Sequence, residues 1–349
     1  MSRPERACHN ETVVVTGASG HLGANLVRQL LAAGRRVRVL AHGDRRPLDG
    51  LEVDRVTGDV LDERSLTLAF RGAGAAYHLA AVISIVGAQR GRVEAVNVGG
   101  TRNVVCACLA RGVRRLIHFS SIHAYCQFPL DLPLDESRRP SDAGRAPAYD
   151  HSKARAEREV LAGVERGLDA VIVNPTAVLG PFDFEPSRMG CVLRDLQREA
   201  LPVLVDGGFD WVDARDVCAA AIAAEDRGRR GERYLLSGTY LSLAGLAALV
   251  AETSGARPPG LVVPQWLARP IAPLAELWSG LRRSEPRLTR DSMVALRTCN
   301  PAIRHDKASA ELSFAPRPLR TTVADTLRWF SDCGRGVDDA SRGSFGLQS

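Results

Sequence analysis

Lysine is nearly absent from this chain. Of its 46 lysine and arginine residues only Lys153 and Lys307 are lysines, so wherever positive charge alone suffices the sequence uses arginine. A lysine inside the stretch AYDHSKARAE (148–157) therefore asks for a reason other than charge. Long apolar runs are missing as well. No stretch approaches the ~18 apolar residues that a membrane-spanning helix needs, and the start, MSRPERACHNE, is polar and lacks the apolar centre of a secretory signal. None of the eight cysteines shows C-x-x-C spacing, and no histidine sits at zinc-finger distance from them, which argues against a zinc ribbon or finger. Several fall in apolar runs, as buried thiols do, so a reduced cytoplasm is the expected setting. Cys106 and Cys108 read as core packing. The histidines His78, His118, His123 and His151 are scattered without ligand spacing, so no metal site is expected. There is no internal repeat. There is no basic block either: the formal charge is +6, but the arginines come one or two at a time along helical patterns. That reads as a solvated surface rather than a nucleic-acid or lipid partner.

What is present is a rhythm of short apolar strands and amphipathic helices. TVVVTG (12–17), RVRVLA (36–41), LEVDRVTGD (51–59), AAYHLA (75–80), RRLIHFSS (114–121) and DAVIVNP (169–175) read as strands. Helical patterns lie between them, including about 89–112 and 147–167. Repeated strand–helix units imply an α/β fold of the Rossmann type, a doubly wound parallel sheet covered on both faces, over about 12–180. After Pro175 the rhythm breaks. A smaller, mostly helical C-terminal substrate lobe is expected over 181–333, with elements returning to the sheet from about 202–240. Residues 1–11 and the Gly/Ser-rich 334–349 read as disordered.

TGASGHLG (16–23) joins the first strand to the first helix. Gly17 permits the tight turn, Gly20 lets a pyrophosphate approach the backbone, and Gly23 lets helix and sheet close up. His21 and Leu22 lie at the helix start, where free N–H groups and the positive dipole end face an anion. An acid ending strand two would hold the ribose hydroxyls of NAD and repel the extra phosphate of NADP. Here Ala41 and His42 stand there, with Arg45 and Arg46 following. That favours NADP, with NAD open if Asp44 supplies the acid. Asp59, closing strand three, reads either as an acceptor for an adenine amino group or as a turn-capping residue.

Tyr149 and Lys153 are spaced i, i+4, on one face of a helix that starts near Pro147. A phenol is a poor acid and base near pH 7, and a neighbouring ammonium is expected to lower its pKa. Such a phenol can protonate an alkoxide or deprotonate an alcohol, which is worth roughly 10²–10⁴-fold. A compact ammonium can point a donor at a ribose hydroxyl and stay close to the phenol; a planar guanidinium cannot match that geometry. Ser120 and Ser121 end the fifth strand and point to opposite faces, so one of them can donate to a substrate oxygen and the other is expected to be a structural hydrogen-bonder.

With these residues in place the chain resembles the extended short-chain dehydrogenase/reductases, also described as NAD-dependent epimerases/dehydratases. Within that group it is most similar to dihydroflavonol-reductase-like and 3β-hydroxysteroid-dehydrogenase-like members. TGASGHLG, GDV (58–60), HLAA (78–81), NVGGTRNV (97–104), FSSIHAY (119–125), YDHSK (149–153) and NPTAVLGP (174–181) carry the likeness in order, over about 12–240. The resemblance implies Ser121, Tyr149 and Lys153 as the catalytic trio and Asn97 as a further site residue. It places Asp59 and Val60 at the adenine, Ala80 and Ala81 along the cofactor, and Pro175 near the nicotinamide. His42 departs from the arginine often found there. The function implied is NAD(P)-dependent reduction of a bulky, mostly apolar ketone, or oxidation of the corresponding secondary alcohol. Phe182, Phe184, Phe209, Trp211 and the apolar stretch 262–281 are expected to wall the substrate site. The alternatives are a nucleotide-sugar epimerase/dehydratase with tightly bound NAD(P), using arginines such as Arg188, Arg194, Arg282, Arg283, Arg287 and Arg290, and a non-catalytic dinucleotide sensor. The partner expected is a small-molecule substrate, with a homodimer left open.

Overall fold

Buried strands in a parallel sheet must be apolar on both faces, and those in this chain are. In the computed structural model, which describes residues 11–43, 46–84, 87–141, 146–268 and 290–343, β1 (Thr12–Thr16), β4 (Ala73–His78), β5 (Arg115–Phe119) and β6 (Ala170–Pro175) are buried almost end to end. They form a seven-stranded sheet with β2 (Arg36–Ala41), β3 (Asp54–Thr57) and β10 (Arg233–Leu236), in the order β10-β6-β5-β4-β1-β2-β3. Every pairing is parallel. Chain order reverses at β1, so a crevice opens between the C-terminal ends of β1 and β4, the place where such sheets bind ligands.

One face of the sheet, carrying Val13, Val15, Ile117 and Val173, packs on α1 (His21–Ala32) and α7 (Ala214–Arg227). The other, carrying Val14, Leu116 and Ile172, packs on α2 (Glu63–Ala69), α4 (Thr101–Arg111) and α5 (Ala148–Glu165). The helix expected over 89–112 is not uniform. A short α3 (Arg92–Glu94) leads into a π-helical turn, Ala95–Gly100, before α4. Gly100 lies against Val60, whose Cγ2 would sit 2.7 Å from a Cβ placed there.

The C-terminal region is mostly helical, as expected, and also carries short strands. Strands β7 (Ala177–Leu179), β9 (Gly208–Asp213) and β11 (Thr239–Ser242) form a separate three-stranded sheet, and β8 (Val203–Val205) pairs with β12 (Leu261–Val263). Of the segment expected to return to the main sheet, only β10 pairs in it, with α7 packed beneath. The three-stranded sheet shares a core with α6 (Arg188–Gln197), α8 (Leu243–Ser254) and the long final helix (Leu319–Gly343). That helix runs through 334–343, a stretch whose composition suggests disorder. The apolar stretch 262–281 is described only as far as Ala268, with Gln265–Ala268 helical; Arg282, Arg283 and Arg287 lie outside the described residues. The N-terminal residues 1–10 and the end 344–349 also lie outside them.

At the N-terminal edge of the sheet, Glu225 of α7 is buried and accepts hydrogen bonds from Arg35 Nη2 at 3.0 Å, Tyr77 Oη at 2.6 Å and Arg114 Nη2 at 3.4 Å. Burial and this carboxylate push the Tyr77 phenol well above its usual pKa, so it stays a donor. Removing one partner from such a cluster strands the others without solvent. Glu225→Ala is expected to cost about 3–5 kcal/mol, read as a lowered urea midpoint. A midpoint within about 0.5 kcal/mol of wild type would show that the cluster is not structural.

Candidate active site

The turn between β1 and α1 is built by backbone contact. Gly17 adopts φ +71°, and a Cβ there would lie 2.6 Å from the Ala80 nitrogen at the end of β4. A Cβ on Gly23 would lie 2.1 Å from the Gly17 carbonyl oxygen. Both glycines are therefore demanded by the protein itself. Gly20 is not: its Cβ would meet nothing closer than the Gly17 oxygen at 3.5 Å. Gly20 also caps α1 without a side-chain hydrogen bond, and the first turn carries no acid. An uncapped helix start with a glycine that packing does not require fits a pyrophosphate. His21 does not point at that opening; its Nε2 lies 3.1 Å from the carbonyl oxygens of Gly180 and Pro181, and Asn25 Nδ2 donates to Pro181 at 2.9 Å. This ties the turn to the loop after β7. Leu22 packs against the sheet core.

Beside the turn, a cleft of about 190 Å³ at the end of β2 is lined by Ala18, Ser19, Ala41, His42, Gly43, Arg55 and Thr57, with Leu40 and Leu48. Its size and its place next to Gly20 fit the adenosine half of a dinucleotide. His42 is exposed, with Nδ1 3.8 Å from Asp59 Oδ2. Asp59 also accepts from the Leu61 amide at 2.9 Å, so it secures the turn, while the helix cap itself is Asp62. Val60 is buried under Gly100. Arg46, after β2, is exposed; Asp44 and Arg45 lie outside the described residues. The cationic residue that lines the cleft is Arg55, which sequence reading missed. It stands on β3, where alternation reads as an ordinary solvated arginine.

The loop after β4 runs through Ala80–Ser84 past Asn97. The Asn97 side chain accepts from the Val82 amide at 2.7 Å and donates to the Val82 carbonyl at 3.0 Å and to Ser152 Oγ at 2.8 Å. It is buried and fastens this loop to α5. The structure thus gives Asn97 a clamping place, with its amide directed at neighbouring protein groups. Ala80 and Ala81 follow β4 at the rim of the crevice; Pro175 ends β6 opposite Leu236.

Tyr149 and Lys153 share a face of α5, as their spacing predicts. The Ser121 side chain lies close enough to the Tyr149 phenol to lower its pKa, and Ser121 Oγ accepts from the His123 amide at 3.3 Å. Ser121 is thus the serine turned toward the tyrosine. Ser120 points away, and its buried Oγ has no partner among the described residues, so it is not the structural hydrogen-bonder expected. Lys153 is buried, and its Nζ donates to the Phe119 carbonyl at 2.9 Å. Burial pushes the lysine down to about 8, with Glu157 pulling it up. The expected lowering of the phenol's pKa is not found. Burial raises it and the Asp150 charge adds to the rise, against the Ser121 side chain, which lowers it. The lysine is not among the groups that shift the phenol; its Nζ is turned to the Phe119 carbonyl.

Below these groups, His78 bonds Thr16 Oγ1 at 2.7 Å and Thr101 Oγ1 at 3.0 Å, and burial holds it neutral, pushed down to about 3. Beside the phenol, His123 pairs with Asp150 at 3.1 Å, and its ring meets Tyr149 edge-on with centroids 5.5 Å apart. No cluster of three or more metal-ligating side chains occurs among the described residues. Of the aromatics expected at the substrate entrance, Trp211 is a packing residue instead, while Phe182, Phe184 and Phe209 are half-buried. Trp211 is buried in the second core, donating to Leu241 O at 2.9 Å, and Phe209 lies against it. Phe182 and Phe184 pack on Trp329 and under the Arg28 guanidinium.

A doubly wound sheet with a glycine turn at its switch point and a tyrosine–lysine helix beside it defines a dinucleotide-dependent enzyme class. The comparisons agree. The profile of the NAD dependent epimerase/dehydratase family matches residues 13–237, and the chain belongs to that family. It is 39% identical over 93% of its length to sterol demethylase protein B of Methylococcus capsulatus, covering 99% of that protein. It is 34% identical over 92% of its length to a putative dihydroflavonol 4-reductase of Synechocystis, covering 94% of it. Among solved structures, a nucleoside-diphosphate-sugar epimerase from Pseudomonas aeruginosa superimposes with a TM-score of 0.76 at 26% identity, over 93% of this chain and 98% of that one.

The two kinds of glycine predict different failures. Gly23→Ala is expected to lower the melting temperature, because helix and turn must separate. Gly20→Ala is expected to melt within about 0.5 kcal/mol of wild type yet bind a nicotinamide dinucleotide more weakly. Calorimetry and titration of both variants check this, and equal melting losses would contradict it.

Proposed function

We propose that this protein is an NAD(P)-dependent oxidoreductase that reduces a bulky, mostly apolar ketone or oxidises the corresponding secondary alcohol. The observation that carries this reading is that the Ser121 side chain sits close enough to the Tyr149 phenol to lower its pKa, with Lys153 one helical turn away, beside the C-terminal ends of the sheet. The bound dinucleotide supplies or accepts the hydride. Gly17, Gly20 and the N–H groups at the start of α1 hold its pyrophosphate, and Asp59, Val60 and the β2 cleft hold its adenosine. Ala80, Ala81 and Pro175 border the nicotinamide end.

Ser121 donates to the substrate oxygen and orients it. Tyr149 holds its proton at Oη, because burial opposes the phenolate, and passes it to that oxygen in reduction or takes it back in oxidation. Lys153, an ammonium below about pH 8, favours the phenolate when the proton has left. Asn97 keeps the loop after β4 fixed against α5 without touching the reacting atoms. The apolar substrate class rests on relatives named for a sterol and for a dihydroflavonol. A second reading, sugar-nucleotide conversion with the hydride returned, is supported by the likeness to the epimerase structure. A sensor without catalysis has no need for the tyrosine–lysine pair.

Tyr149→Phe is expected to abolish turnover while titration shows cofactor binding unchanged. Lys153→Arg is expected to lose most activity although charge is kept, and full activity in that variant would overturn the role given to the lysine. NADPH is expected to bind more tightly than NADH, because no acid ends β2 and Arg55 lines the cleft. Arg55→Ala is then expected to weaken NADPH binding about tenfold and leave NADH unaffected, the size of one charge-assisted hydrogen bond. Tighter binding of NADH by wild type would reverse the preference.

A further inference from the structure

Glu157 lies one turn beyond Lys153 on α5, and its carboxylate is almost wholly buried. On a helix otherwise rich in exposed charge, a buried acid must be held by donors. Oε1 accepts from Asn174 Nδ2 at 2.6 Å, and Oε2 accepts from Arg233 Nε at 2.6 Å. Asn174, fully buried at the end of β6, also donates through Nδ2 to the Ser121 carbonyl at 3.1 Å. A single chain of contacts thus runs from β10 through the helix that carries Tyr149 and Lys153 to the turn that carries Ser121.

We propose that Glu157 is a positioning residue, whose buried carboxylate ties the Ser121 turn to the catalytic helix through Asn174 and supplies the counter-charge that keeps Lys153 an ammonium. The inference deepens the Ser121–Tyr149–Lys153 reading and rests on it. The groups that face Lys153 leave Glu157 in that role. His78 at the end of β4 and His118 on β5 are kept neutral by burial, and His123, in the turn after β5, is paired with Asp150. Tyr149 stays protonated. Glu157 is the carboxylate whose field raises Lys153 against the burial that lowers it. Arg233, which begins β10, stands on the far side of the carboxylate and offsets part of its charge; Tyr125 also borders the pair.

The sign of each substitution follows. Loss of the negative charge lowers the lysine's titration midpoint, because the ammonium loses its attraction. Loss of Arg233 raises it, because the carboxylate's charge is then unopposed. The near-absence of lysine makes this measurable. With isotope-labelled lysine the intact chain gives resonances from Lys153 and Lys307 alone, and Lys153→Arg assigns them.

The experiment follows the Lys153 side-chain resonance against pH in wild type, Glu157→Gln and Arg233→Gln. The expected result is a midpoint about one pH unit lower in Glu157→Gln and higher than wild type in Arg233→Gln. A purely structural role would not move the two in opposite directions. Unchanged midpoints overturn the proposal. If Glu157→Gln does not fold, Arg233→Gln decides alone: an upward movement supports the counter-charge, and none overturns it. Because the readout is the lysine itself and not turnover, it separates the two claims. Midpoints that move as expected in a protein whose Lys153→Arg variant is fully active would count against the catalytic trio and leave the counter-charge standing.

Discussion

Two backbone segments must touch before anything else in this structure can work. The turn after β1 passes so close to the end of β4 and to the start of α1 that neither Gly17 nor Gly23 has room for a Cβ. This contact brings the helix start down to the edge of the sheet at the one place where chain order reverses. The crevice, the helix start that faces it and the cleft at the end of β2 are arranged around it. A side chain at Gly17 would push the turn from the segment after β4, and one at Gly23 would push α1 from the turn, and with α1 would go the His21 and Asn25 contacts that anchor the Gly180–Pro181 loop.

Around that contact the protein places polar groups where an apolar core would be simpler. Lys153, Glu157, Asn174, His78 and His118 are all buried between the sheet and the helices that cover it. Each is costly to remove from water unless partnered, and most have partners at hydrogen-bond distance. The Glu225 cluster at the opposite edge shows the same physics applied to stability alone. The difference lies in what the clusters reach. Glu225 ties α7 to buried strands and a surface arginine, whereas Glu157 ties the helix bearing Tyr149 and Lys153 to the turn bearing Ser121.

Much of this was legible in the sequence, for reasons that can be named. Strands buried on both faces leave short β-branched runs between glycine-rich breaks, so the order of the first six could be read directly. Gly17, Gly20 and Gly23 follow a strand and open a helix, and the Tyr149–Lys153 spacing survives folding because i, i+4 geometry is local. What was not legible depends on distant partners. β7, β9 and β11 are short, and they meet across long separations, so the second sheet looked like helical lobe and loop. Trp211 read as a pocket wall because composition cannot say that a core needs filling. Lys153 meets Phe119 across 34 residues, and its neighbour Glu157 looks like any solvated helical acid until Asn174 and Arg233 are seen to close on it. The same holds for Arg55, which only the packed sheet carries to the cleft.

The central claim is that a hydride leaves the cofactor for good and arrives on an apolar ketone, with Tyr149 supplying the proton. The most direct measurement is turnover of a sterol-like ketone with NADPH deuterated at the transferring position, followed by mass spectrometry of the product. The account predicts deuterium on the new carbinol carbon, in step with loss of reduced cofactor, and none with Tyr149→Phe. Conversion of a nucleotide sugar with no net cofactor oxidation, and no label in any ketone-derived product, would contradict it.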